Sequence, residues 1–454
     1  MTTTNSKDVF ESLPVPQAVK AMALPSIFGQ LIVLIYNMAD TFFVGRTNNP
    51  YMVAGASLIL PVFNISLALA GLTGIGGGAL ISRRLGQGRA DEASKVSAFS
   101  FYLAICIAGL FSVGTLLFMR PLLGLLGASD NTFRFARQYA FCVIVLGGIP
   151  TVLSNVLSNF LRSVGQSGKA GFGVMMGGVV NIFLDPLFMF VLLPRGNEVL
   201  GAGIATLLSN CISCTYFFLT IHALGDQAPI SFRFAMPERD SIRAIFGVGV
   251  PASVTTLLFD VDYVVIDKLM SAYGDAALAA VGIVLKAERL PLNIGVGLCQ
   301  GMLPLVAYNY SAKNRERMNG IIRFSLTVGL ICGAVSVTLY ELFAGNILRV
   351  FIADAETVAL GTDFLRARCL ATPFMFLSFS TVSIFQGFGK GNTALFLGVS
   401  RWAVLNIPML FLLNRILGMY GLVWSQLAAD VLTVALSLTV YLRFIRTDAY
   451  REMI

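Results

Sequence analysis

Eleven ionisable side chains fall inside apolar stretches of the 454-residue chain: Asp40, Asp185, Asp260, Asp262, Asp267, Lys268, Lys286, Glu288, Arg289, Arg401 and Asp430. A charge surrounded by hydrocarbon is costly, so each marks an ion path, a substrate contact or a paired structural network. In the first half, Asp40 and Asp185 stand in apolar segments, and no basic residue is expected in the membrane part of this half. Two such acids cannot comfortably both stay ionised. Either a proton neutralises one, or a cation sits between them. Asn181, four residues before Asp185, shares its helix face, and Thr206 adds a hydroxyl. Two carboxylates, an amide oxygen and a hydroxyl suit a small hard cation such as Na⁺. The plainer alternative is a hydrogen-bonded acid that merely holds a helix contact. Asn155 and Asn159 repeat the i, i+4 spacing on a neighbouring segment.

The second half reads differently. Asp260, Glu288, Arg401 and Asp430 lie about 11 to 15 residues from the outer ends of their segments, and Lys286 and Arg289 flank Glu288. A cluster of both signs can neutralise itself, as a structural ion-pair network or as the polar wall of a substrate cleft. Asp267 and Lys268 sit close to a segment end and are expected to snorkel to water.

These residues need elements to position them. A spanning helix takes about 20 apolar residues, and the chain offers twelve such runs, at 24–46, 52–80, 97–119, 138–160, 170–194, 199–223, 246–271, 277–309, 321–343, 364–388, 393–416 and 418–444. Counted from the outer ends, Asp40 lies six residues deep, Asp185 nine and Thr206 seven. At roughly 1.5 Å per residue, three helices bring oxygens to nearly one depth. Pro186 directly follows Asp185 and removes one backbone hydrogen bond, which bends the helix or frees a carbonyl beside the acid.

Composition supports a membrane protein: 56% hydrophobic and 12% charged residues, with mean hydropathy +0.79. Soluble proteins carry roughly 25% charged residues. A soluble enzyme, a disordered chain and a nucleic-acid-binding domain are thereby excluded. The net charge of +8 needs no nucleic acid, because Lys and Arg gather in cytoplasmic loops of membrane proteins. With the N-terminus inside, the inner segments hold 19 Lys and Arg and the outer loops nine. Both termini are therefore expected in the cytoplasm. The first 23 residues lack the apolar core of a cleavable signal peptide. His222 is the only histidine, which argues against a His-based metal site, a Ser-His triad and enzymatic activity. Cys211 and Cys214 form a C-x-x-C inside an apolar helix, away from any βαβ pattern, so no redox or metal role is expected of them.

The second half re-reads the first. Ala23-Leu-Pro-Ser matches Val250-Pro-Ala-Ser, and Gly165-Gln-Ser-Gly-Lys matches Gly389-Lys-Gly-Asn-Thr. Six spans per half make a parallel repeat about an axis along the membrane normal. The expected architecture is an all-α integral membrane protein, twelve transmembrane helices in two six-helix lobes related by a pseudo-twofold. The expected division is a cytoplasmic segment 1–23, an N-lobe 24–223, a linker 224–245, a C-lobe 246–444 and a tail 445–454. Two lobes around a central cleft suit alternating access.

Four stretches carry a family resemblance: Asn37-Met-Ala-Asp40-Thr-Phe-Phe-Val-Gly, Gly86-Gln-Gly-Arg, Leu161-Arg-Ser-Val-Gly-Gln and Asn181-Ile-Phe-Leu-Asp185-Pro. With them the chain resembles the bacterial multidrug-export branch of the multidrug and toxic compound extrusion (MATE) transporters, over about residues 14–446. The resemblance implies export of organic cations and other amphipathic drugs across the cytoplasmic membrane, driven by entry of H⁺ or Na⁺. It places an N-lobe cation site on Asp40, Asn181, Asp185, Ala202 and Thr206. It implies no cofactor beyond the coupling ion, a lipid bilayer and small amphipathic substrates as partners, and a monomer. Some branches also use acids on spans seven and ten, whereas span 364–388 here has no acid in its core. The rival within the superfamily is a lipid-linked oligosaccharide flippase, which expects a basic cleft and often fourteen spans.

Overall fold

The structure is a computed structural model that describes residues 6–447 and Tyr450; among these there is no strand. Twelve spans follow in order: α1 (Val15–Gly45), α2 (Pro50–Gly86), α3 (Ala90–Leu117), α4 (Asp130–Leu146 with Gly148–Ser163), α5 (Ser167–Leu192), α6 (Glu198–Leu224), α7 (Arg239–Tyr273), α8 (Asp275–Ser311), α9 (Arg315–Phe351), α10 (Ala355–Cys369 with Thr372–Gly387), α11 (Gly391–Leu417) and α12 (Met419–Phe444). Number and order agree with the apolar runs. Several helices run well past them: α1 begins at Val15 and α7 at Arg239. Polar residues extend a helix into water at little cost, so an apolar run marks the buried part of a helix and not its ends.

The repeat is visible in the irregularities. The fourth helix of each lobe is bent, α4 by 49° near Gly147 and α10 by 45° near Leu370 and Ala371. The fifth helix of each lobe loosens into a π turn, Leu187–Leu192 in α5 and Ser400–Asn406 in α11. Pro186 directly precedes the first π turn and Pro408 lies two residues after the second, and such wide turns are frequent at functional sites.

Each lobe has its own apolar core. Phe160, Phe217 and Leu157 are fully buried in the N-lobe, and Phe364, Leu348 and Val284 in the C-lobe. The periphery is apolar too, with Leu117 71% and Val350 82% exposed. That surface satisfies a bilayer and would be untenable in water.

Both described chain ends reach the same face. Arg317 donates to the Phe10 carbonyl (2.6 Å), and the Tyr450 hydroxyl donates to Asn319 (2.7 Å). The lobes meet mainly in the half of the molecule nearest this terminal face, along seams of small residues. A Cβ on Gly76 would strike the Ile245 carbonyl, and one on Gly249 the Leu72 carbonyl. On the second seam, a Cβ on Gly297 or Gly301 would lie 2.5 Å from the Cα of Ile27 or Ala23. Absent side chains let the backbones approach this closely. Inter-lobe hydrogen bonds flank the seams, Arg84 to Ser241 (2.9 Å), Ser253 to the Ala68 carbonyl (2.6 Å) and Gln30 to Gln300 (3.2 Å).

Candidate functional site

The N-lobe acids converge as their depths predict. Asp185 is fully buried on α5 and its Oδ1 accepts from Asn181 Nδ2 at 3.3 Å. Asp40, on α1, accepts on Oδ2 from the Tyr139 hydroxyl of α4 at 3.4 Å. Thr206 of α6 stands beside the Tyr139 hydroxyl, and Asp40 and Asp185 lie within electrostatic range of each other. Thr206 Oγ1 donates to the carbonyl of Ala202, which is itself fully buried (3.0 Å). Four helices thus supply one polar pocket.

Its bonding is incomplete. Asp40 Oδ1, Asp185 Oδ2 and Asn181 Oδ1 are all buried without a hydrogen-bond partner. Among the described residues no Lys or Arg forms an ion pair with either acid. Three orphaned oxygens in a poorly solvated pocket are what a proton or a small oxygen-seeking cation would satisfy. The donor set, two carboxylates, an amide and a hydroxyl, fits either.

Two residues of this pocket escaped the sequence. Tyr36 lies one helical turn before Asp40, within range of both acids, and its i−4 spacing was an available signal. Tyr139 caps Asp40 from another helix, and an aromatic in an apolar segment gives no hint of such a role.

The C-lobe cluster needs correction. Glu288 does not depend on its sequence neighbours: Lys286 and Arg289 are exposed, and Arg289 lies over the Tyr263 ring. Its partner is Arg368 of α10, by two bonds of 2.7 and 3.0 Å. Arg368, not among the eleven ionisable side chains singled out from the sequence, is 4% exposed. Arg401 and Asp430 form a second two-point pair, 2.6 and 3.2 Å. Gln426 donates to Asp430 (2.9 Å) and Asn406 to Asp262 (2.6 Å). Asp262 is therefore a buried member of the network. The side chain of Asp260 lies outside the described residues. Asp267 and Lys268 are exposed, as snorkelling requires.

Asn155 and Asn159 do not act as a pair. Each donates to the backbone one turn earlier, at 3.0 and 2.9 Å. Only Asn159 faces the cavity of about 330 Å³ that lies between the lobes. That cavity takes Asn159 and Arg162 from the N-lobe, and Gln300, Gln386, Phe379, Arg401 and Trp402 from the C-lobe. Neither Asp40 nor Asp185 lines it, so ion pocket and cavity are separate. A smaller pocket shares Arg401 and Trp402 and reaches Glu288, Arg368 and Asp430. The network is thus both self-neutralising and, through Arg401, part of the cavity wall. Arg162 corrects a second expectation. It belongs to the last turn of α4, is 2% exposed, and places a basic group inside the N-lobe.

Known proteins are similar to this chain in sequence and in fold. The MatE family model matches residues 25–187 and 251–412, one block in each lobe. A multidrug export protein MepA of Staphylococcus aureus strain NCTC 8325 is 30% identical over 435 residues, covering 95% of each chain. Its counterpart from Staphylococcus haemolyticus is 29% identical over 429 residues, covering 94% of each. A solved structure described as the outward-facing conformation of a multidrug resistance MATE family transporter of the MOP superfamily superposes with TM-score 0.91 at 23% identity, covering 98% of each chain. Matching in both lobes and over nearly its whole length, the chain belongs to the MATE family of membrane transporters.

Proposed function

We propose that this protein is a cation-coupled antiporter that exports organic cations and other amphipathic drugs across the cytoplasmic membrane. The observation that carries this is the N-lobe pocket, where Asp40, Asp185 and Asn181 keep unsatisfied oxygens apart from the drug-sized cavity between the lobes. A cavity of a few hundred Å³ lined by aromatics suits such ligands. The terminal face is the cytoplasmic one, and closure of the glycine seams there makes this an outward-facing state. An ion entering from outside binds the acid pair, alters its charge, and shifts the balance between the two access states by its differential affinity for them. The coupling ion is H⁺ or Na⁺, with H⁺ preferred because a proton neutralises one acid without a full coordination shell. The protein acts as a monomer.

The test is dye efflux from proteoliposomes with pH and Na⁺ gradients imposed separately. Efflux driven by a pH gradient in Na⁺-free buffer is the expected result. Efflux only with an inward Na⁺ gradient would make Na⁺ the coupling ion, and none with either gradient would end the antiport reading. One observation favours the flippase alternative: two arginines line the cavity, where a phosphate-binding cleft would place them. Twelve spans and the acidic pair in the N-lobe favour export.

A further inference from the structure

Among the described residues, the cavity wall contains two guanidinium groups, Arg162 and Arg401, and no carboxylate. They differ in compensation. Arg401 is paired with Asp430 and held between the rings of Phe379 (4.5 Å) and Trp402 (4.2 Å), but its Nη1 is buried with no partner. Arg162 has no acid at all among the described residues. Its Nε donates to Ser26 Oγ and its Nη1 to Ser158 Oγ, both at 3.1 Å, and its Nη2 has no described partner. Two neutral hydroxyls do not balance a buried positive charge. An uncompensated guanidinium in an aromatic-walled cavity lacks a counter-ion, and its planar fork fits a carboxylate or sulfonate.

From these contacts we infer that the cavity binds amphipathic aromatic compounds through an acidic group held at Arg162. This rests on the export reading above and narrows its substrates. The preferred cargo is zwitterionic or acid-bearing; purely cationic drugs bind without an ionic anchor. The aromatic part of the same molecule finds apolar contact at Phe259 and Phe379, which line the cavity.

The experiment compares two forms of one xanthene dye, the free acid and its methyl ester, binding to the purified full-length protein by fluorescence anisotropy. The free acid is expected to bind about tenfold more tightly, the scale of one charge-assisted hydrogen bond. Arg162→Gln should bring the acid down to the affinity of the ester and leave the ester unchanged or tighter. Arg162→Lys should retain part of the preference. Equal binding of the two forms to the unaltered protein overturns the inference, as does failure of both to bind. An acid preference that survives Arg162→Gln overturns it as well. Should the Gln variant fail to fold, the acid-to-ester ratio of the unaltered protein still decides. Efflux in proteoliposomes is read separately. An acid preference in binding with no gradient-driven efflux of either dye would leave this inference standing and remove the antiport reading.

Discussion

In the N-lobe, Asp40 and Asp185 are buried together with spare oxygens and no basic partner. In the C-lobe, Glu288 is half-buried and Asp430 fully buried, and each is gripped at two points by an arginine, with bonds as short as 2.7 and 2.6 Å. The two lobes descend from one repeat, so the difference is not one of fold. Counter-charge is withheld on one side and supplied on the other. A carboxylate with a fixed arginine has little left to offer a passing ion, whereas one without a partner stays available to be neutralised. Where charge is left unbalanced, ion or substrate binding is the natural compensation.

The largest expected effect breaks the contrast at its source. Asp40→Asn and Asp185→Asn should each abolish ion-driven efflux while the protein still inserts and melts at or above its normal temperature, because an unpaired buried acid is removed. Gradient-dependent efflux persisting in both variants would refute the assignment of the ion site. Glu288→Gln should do the opposite. It leaves Arg368 half-compensated and should cost about 3 kcal/mol of stability, the low end for breaking a buried pair, seen as a lower melting temperature. Transport lost at an unchanged melting temperature would instead move Glu288 into the transport path. Tyr139→Phe sharpens the N-lobe side. Its bond to Asp40 is long at 3.4 Å, so losing it should weaken ion dependence by about fivefold, roughly 1 kcal/mol. An unchanged ion dependence would show that the hydroxyl is incidental. Asp267→Asn should change least: the side chain is exposed near the C-terminal end of α7, and both efflux and stability should stay within about 0.5 kcal/mol of normal. A clear loss of efflux would extend the working acids into the C-lobe.

The reach of sequence reasoning follows the same physics. Twelve spans were legible because bilayer thickness sets one length for every apolar run. The N-lobe pocket was legible because Asn181 and Asp185 sit one turn apart and because counting from the helix ends gives depth. Which way a helix is turned about its axis was not legible. Arg368 meets Glu288 across 80 residues, and only the rotation of α10 tells it apart from a loop arginine. Arg162 stands at the edge of an apolar run, where one turn separates a loop charge from a cavity charge. Asp262 stands out as an acid in an apolar run, but its partner Asn406 was invisible because nothing in spacing or composition marks it.

The glycine seams between the lobes carry a consequence for how this protein tolerates change. At Gly76, Gly249, Gly297 and Gly301 there is no room for a methyl group while the lobes are together. An alanine there would not unfold a helix or touch ion or drug. It would act as a wedge, holding the lobes apart on one face. In a screen for lost resistance, such positions would score as severely as the acids. Their variants would nonetheless be abundant, correctly inserted and able to bind, stalled only because one half of the cycle can no longer close.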